Sequence, residues 1–159
     1  MQDHLVQTYS ISDLRDRPEF ASTIAERIWS AWWRDQGVEL EYLEGLVNEN
    51  FSSTGLPMAL VAHDGGMFLG TAHLIDNDLE ARPQYAPWVA AVWVEETARR
   101  TGIGSALTRA AAEAAFRQGF ATVYLCAEPA MAAFYEGLGW HCIERNVDGL
   151  DVFSLSRPS

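Results

Sequence analysis

Apolar residues along this chain fall either into short continuous runs or into stripes spaced as on a helix, and the switches between the two set out its elements. Thr8 to Leu14 alternates weakly and predicts a first strand. Asp16-Arg17-Pro18-Glu19 then gives a helix start with Pro inside the first turn. From Pro18 to Arg34, Phe20, Ile24, Ile28, Ala31 and Trp32 recur at three- and four-residue spacing, which predicts a helix with one buried stripe. Trp29 and Trp33 lie beside that stripe and widen it, either as an aromatic core face or as the wall of a substrate site. Gly37 stops this helix, and Val38 to Asn50 predicts a second one whose apolar face is Leu40, Leu43, Leu46 and Val47. Its acidic residues Glu39, Glu41, Glu44 and Glu49 read as a solvated face.

Ser52-Ser53-Thr54-Gly55 is a loop, after which Met58 to His63 and Met67 to Ile75 flank Asp64-Gly65-Gly66 as a hairpin. Asp76 to Tyr85 is the longest polar connection in the chain, and a long ordered loop in a compact domain is often functional. Its acids suit a cationic ligand. The run Trp88 to Val94 is apolar throughout and short, bounded by Pro87 and Glu95, so a strand covered on both faces is expected. An Ala-rich helix from Ser105 to Gln118 follows, striped by Leu107, Ala110, Ala111 and Ala114 and ended by Gly119. Phe120 to Ala127 predicts another buried strand, Pro129 to Leu138 a short helix stopped by Gly139, and His141 to Val147 with Leu150 to Ser156 a closing hairpin through Asp148-Gly149. No repeat, low-complexity tract or second core interrupts this order, so residues 1–159 are expected to form a single domain.

The net charge of -11 argues against nucleic acid or an anionic membrane surface as a partner, since both favour basic patches. The same charge is compatible with drawing in a cationic small molecule, or with solubility alone. All 11 cationic side chains are Arg, so the protein has no lysine of its own to modify. No apolar stretch is long enough to span a membrane, and Met1-Gln2-Asp3-His4 lacks the start of a signal peptide; a cytoplasmic protein is the expectation. Cys126 and Cys142 have no CxxC spacing, and His4, His63, His73 and His141 have no short paired spacing with other ligands, so no metal site is expected.

The candidate chemistry centres on Glu95-Glu96-Thr97-Ala98-Arg99-Arg100-Thr101-Gly102-Ile103-Gly104-Ser105, between the Trp88 strand and the following helix. Two glycines one residue apart allow close approach to a ligand, and the helix start offers free amide hydrogens. Arg99 and Arg100 add positive charge suited to phosphate oxygens. Read locally, this could equally be a surface turn with two incidental arginines. A dinucleotide fingerprint would need a third glycine near Leu107, and a phosphate-binding Walker loop would need a lysine; both are absent.

Arg99-Arg100-Thr101-Gly102-Ile103-Gly104 after a valine-containing strand, together with Phe134-Tyr135-Glu136-Gly137-Leu138-Gly139-Trp140 downstream, resembles the two signatures of the GNAT superfamily of N-acetyltransferases. In order of elements the resemblance runs from Val6 to Ser156, and it is sharp between Trp88 and Trp140. It implies an α/β (α+β) fold, a mixed and largely antiparallel sheet of about seven strands flanked by about four helices. It also implies acetyl-CoA as cosubstrate, with Val92, Trp93 and Val94 offering backbone groups to the pantetheine arm and Arg100, Thr101, Gly102, Ile103, Gly104 and Ser105 holding the pyrophosphate. Arg99 matches the first position of the motif; Arg100 stands where relatives commonly have Gly.

By the same resemblance, Tyr135 protonates the departing thiolate and a primary amine attacks the thioester directly. Many relatives carry an acid on the strand matching Trp88 to Val94, which has none here, so His73, Asp76, Asp78 and Glu80 are the nearest candidates for the base, with His73 and Glu80 put forward. His73 could also be a core histidine bonded within the sheet. Relatives often have Asn seven residues before the helix tyrosine, where this chain has Glu128. The acceptor implied is a small amine-bearing molecule, a homodimer is compatible with the reading, and the rival reading is a non-catalytic acyl-CoA-binding or sensing module.

Overall fold

Seven strands make one sheet, described over residues 8–159 of the chain by a computed structural model. Residues 1–7, which include the Met1 to His4 start and Val6, lie outside the described residues. The strands are β1 (Ser10–Asp13), β2 (Met58–Asp64), β3 (Met67–Ile75), β4 (Trp88–Val94), β5 (Thr122–Ala127), β6 (His141–Val147) and β7 (Leu150–Ser156), in the spatial order β1-β2-β3-β4-β5-β7-β6. Neighbours are antiparallel except β4 and β5, which run parallel. Helices α1 (Ala21–Ile28) and α2 (Leu40–Asn48) pack on one face, and α3 (Ile103–Arg117) and α4 (Ala132–Gly137) on the other. This is the mixed, largely antiparallel α/β arrangement expected from the sequence.

Strand alternation sorts the core. Leu60, Ala72, Leu74, Val89, Val123, Leu125 and Phe153 point to α3 and its Leu107, Ala111 and Ala115. Ala59 and Val61 point the other way, against Ile24, Ala25, Ile28, Leu43 and Val47. On that second face, beyond α1 and α2, Trp88 and Val152 are covered by Leu79 of the connection between β3 and β4.

Several elements differ from their sequence reading. The first strand ends at Asp13 because that carboxylate accepts a hydrogen bond from the Arg15 amide at 2.8 Å and opens a 3₁₀ turn over Leu14–Asp16. The segment expected as one helix from Pro18 to Arg34 is α-helical only over Ala21–Ile28. It begins as a 3₁₀ turn, widens into a π turn at Trp29–Trp33 and tightens again at Arg34–Gln36. The wider turn breaks the 3.6-residue phase, so Ala31 and Trp32 leave the buried stripe and Trp32 is 43% exposed. Leu46 of α2 is likewise exposed, while Leu43 and Val47 are buried. Phe120 precedes β5 rather than opening it, and α3 begins two residues earlier than expected, at Ile103.

The Trp88 to Val94 run is covered on both faces only at its start. Trp88, Val89 and Ala90 are buried, whereas Ala91 through Val94 are half-buried. The reason is the parallel partner: β5 is in register with β4 at Trp88 and Tyr124 alone, and beyond that pair the two strands separate. A bulge adds to the separation. His73 faces Ala90 but Thr71 faces Trp93, and the extra residue is absorbed at Ala91, whose φ is 51°. Gly70 lets the bulged strand sit close, since a Cβ there would lie 2.7 Å from the Trp93 carbonyl oxygen.

Candidate active site

The separation of β4 from β5 leaves the β5-facing edge of Val92 to Val94 without a strand partner, while the other edge stays paired with β3, and the chain then turns into α3. A 3₁₀ turn over Glu96–Ala98 leads out of β4, and the Thr101 hydroxyl closes onto the Ala98 carbonyl. Arg100 and Gly102 both adopt left-handed backbone, at φ 66° and 87°. Gly102 is the N-cap of α3 and brings no side-chain acceptor; the first intrahelical bond runs from the Ala106 amide to the Gly102 carbonyl at 3.0 Å. The amides of Ile103, Gly104 and Ser105 are therefore the donors that the helix leaves unpaired. Open space lies over them: a Cβ on Gly102 would meet nothing within 4 Å, and one on Gly104 only the Val94 side chain at 3.6 Å. No acid stands in the first turn. Unpaired amides, the positive end of a 15-residue helix and an unobstructed approach form an anion cradle that fits a pyrophosphate.

A small cavity of about 60 Å³ lined by Ser105, Arg109, Leu138, Trp140 and Leu155 adjoins the cradle on the α4 side, and it brings in Arg109, which the sequence reading passed over. Arg99 is turned away from the cradle. It donates to the Val94 carbonyl at 2.8 Å and its guanidinium lies 4.7 Å from the centre of the Trp93 ring. Trp93 in turn donates to Glu95, which Arg27 of α1 holds at 2.8 Å and keeps below the usual carboxylate range against the opposing pull of burial. The exposed Trp32 meets Trp93 edge-on, with ring centres 6.2 Å apart. Trp32 and Trp93 thus form an aromatic wall on the β4 side of the split, on the face that carries α1.

Tyr135 reaches the same region from the other face. It sits on α4, half-buried, packed on Phe134 and Phe153, and burial raises its hydroxyl above the ordinary tyrosine range, with a smaller contribution from Cys126 nearby. A neutral phenol is the form that can donate a proton.

A family model described as the acetyltransferase (GNAT) family matches residues 19–140 of the sequence. The chain belongs to that family. Among solved structures, an aminoglycoside 6'-N-acetyltransferase complexed with coenzyme A superposes with a TM-score of 0.72 at 16% identity, covering 94% of this chain and 99% of that one. An aminoglycoside 6'-acetyltransferase of type Ii gives 0.70 at 20% identity, with 94% and 99% covered. The PaiA N-acetyltransferase of Thermoplasma acidophilum, in complex with coenzyme A, gives 0.61 at 15% identity, with 95% and 100% covered. No curated protein matches the sequence. At these identities the likeness is one of fold.

The four residues put forward as base candidates occupy different surroundings. His73 is buried within β3, neither ring nitrogen has a hydrogen-bond partner, and burial lowers it to about 4 despite the Ala90 and Ala91 backbone nearby. Asp76, Asp78 and Glu80 are all exposed on the connection after β3. That connection does not lead away from the sheet as a plain loop. It folds back over the face opposite α3, pinned by the buried Leu79, and Asp78 comes to lie on Cys126 of β5, whose thiol donates to its Oδ2 at 3.4 Å. Among the described residues, no helix is long and apolar enough to cross a membrane.

Proposed function

We propose that this protein transfers the acetyl group of acetyl-CoA to a primary amine on a small cationic molecule. The observation that carries the reading is the continuity of three features: the β4–β5 split, the uncapped start of α3 at its mouth, and Tyr135 entering from α4. Bound acetyl-CoA supplies a thioester. The amides of Ile103, Gly104 and Ser105 hold its pyrophosphate, with Thr101 and Arg100 flanking. The backbone of Val92, Trp93 and Val94 receives the pantetheine arm as a further strand would. Arg99 releases the Val94 carbonyl as that arm enters. The Tyr135 hydroxyl gives its proton to the sulfur as the carbon–sulfur bond breaks.

The acceptor enters from the face of α1, between the Trp32–Trp93 wall and the acidic connection of Asp76 to Glu80. Aromatic rings and carboxylates together suit an amine-bearing cation. Aminoglycoside acetyltransferases among the structures of similar fold make an amino sugar one reasonable member of that class.

Tyr135→Phe tests the chemistry, because it keeps the ring that packs on Phe153 and removes only the hydroxyl. Turnover should fall on the order of a hundredfold with little change in acetyl-CoA affinity. Turnover near that of the wild type, measured where chemistry limits the rate, would leave Tyr135 with packing alone.

A further inference from the structure

The connection between β3 and β4 is built to hold one carboxylate over the split. Leu79 anchors it in the cluster of Trp88, Val147 and Val152. The Asn77 side chain accepts from the Leu79 amide at 3.0 Å and fixes the turn in which Asp78 sits. Further along, Glu144 of β6 accepts from Arg82 at 2.6 Å and from the Tyr85 hydroxyl at 2.6 Å, which ties the loop to the β6–β7 hairpin. Tyr85 also stacks on Tyr124 of β5, ring centres 4.6 Å apart. A loop held at so many points does not aim a side chain by chance. The one it turns back onto the sheet is Asp78, on Cys126, two residues past Tyr124 where the pairing of β5 with β4 ends.

Resting on the amine-acetylation reading above, the geometry points to Asp78 as the group that takes the proton from the attacking amine, with the Cys126 thiol as its positioning partner. It lies at the β5 side of the split while the aromatic wall lies at the β4 side, so an amine entering between them meets the carboxylate on one flank. Tyr135 stands behind Cys126, which places the proton acceptor and the proton donor on opposite faces of one gap. The bookkeeping closes. As the nitrogen–carbon bond forms, the amine's proton passes to Asp78; as the carbon–sulfur bond breaks, the sulfur leaves with the electron pair and takes the proton of Tyr135. Exchange with solvent then returns a proton from Asp78 to Tyr135.

The surroundings fit the task. Asp78 keeps an exposed side open to an incoming amine, and the crowding of its carboxyl against Cys126 raises it to about 6, with the Cys126 hydrogen bond pulling the other way; a base is most effective when its proton affinity lies near the working pH. Cys126 itself is pushed up to about 12 by burial and by Asp78, so it stays a thiol and serves as a donor. The other titratable groups around Asp78 are Asp76 and Glu80 on its own loop, Tyr124 of β5, Tyr135 from α4, and the Arg82–Glu144–Tyr85 cluster and Arg145–Asp151 pair of the loop and hairpin; β4 contributes none.

The experiment is the pH dependence of kcat/KM for the best amine found by coenzyme A release, in the wild type, Asp78→Asn and Cys126→Val, with acetyl-CoA affinity measured on each to show an intact cofactor site. The wild type should show an acidic limb near pH 6. Asp78→Asn should lose a hundredfold or more and lose that limb, while Cys126→Val, lacking the thiol donor, should keep the limb but at higher pH. An Asp78→Asn variant that keeps both the rate and the limb overturns this assignment and leaves amine acetylation standing. A wild type that binds acetyl-CoA but acetylates no amine overturns the underlying reading, and this assignment with it.

Discussion

His73 and Asp78 stand five positions apart, and burial moves their proton affinities in opposite directions because it disfavours the charged form of each. For His73 the consequence is a stability term. The unfolded chain binds a proton near pH 6.5 and the folded one only near about 4, so stabilisation present above the first value is lost as pH falls through the second. A shift of this size corresponds to something on the order of 3 kcal/mol. Thermal melts at pH 7.5 and pH 5 check it: the wild type should lose more stability between them than His73→Leu. Equal losses would show that His73 does not resist protonation in the fold.

The glycine turn and Tyr135 were legible in the sequence because their signal is local: residue types at fixed spacing. Asp78 was visible only as one of several acids, because what singles it out is the backward fold of its loop onto β5. That fold depends on Leu79, an apolar residue in an otherwise polar stretch, whose partners Val147 and Val152 are some seventy residues away in the chain.

Among the elements, the sheet strands, both hairpins and α3 follow the apolar pattern closely. The failures share a cause. The segment after Ile28 keeps an apolar content fit for a buried helix, yet its backbone widens at Trp29–Trp33 and sends Trp32 outward to Trp93, so a tertiary contact overrides the local period. The second half of β4 reads as doubly covered but loses its parallel neighbour after Trp88, which no residue of β4 itself announces. On the proposed function, the loop from β3 to β4 is the element whose integrity bears most on acceptor binding. Arg82 and Tyr85 hold Glu144 down to about 2, so the clamp is charged at any working pH. Glu144→Gln should loosen the loop and raise KM for the amine several-fold while leaving that for acetyl-CoA almost unchanged, as steady-state kinetics in each substrate will show. Parallel changes in both constants would mean that the clamp supports the whole fold rather than the acceptor side.

Taken whole, the molecule couples a net charge of -11 to one anion cradle at the start of α3. On the proposed function, its field would attract a cationic acceptor at long range, while the cofactor's phosphates would depend on local amides and on Arg100, and the two would respond differently to salt. The account stands or falls on whether this cleft performs transfer rather than binding alone. The deciding measurement is release of coenzyme A thiol from acetyl-CoA by the wild-type protein across cationic, neutral and anionic amines. The account predicts release with cationic amines first, slowing as ionic strength rises; acetyl-CoA bound at the Gly102–Gly104 turn with no amine-dependent release, or release fastest with an anionic amine, would contradict it.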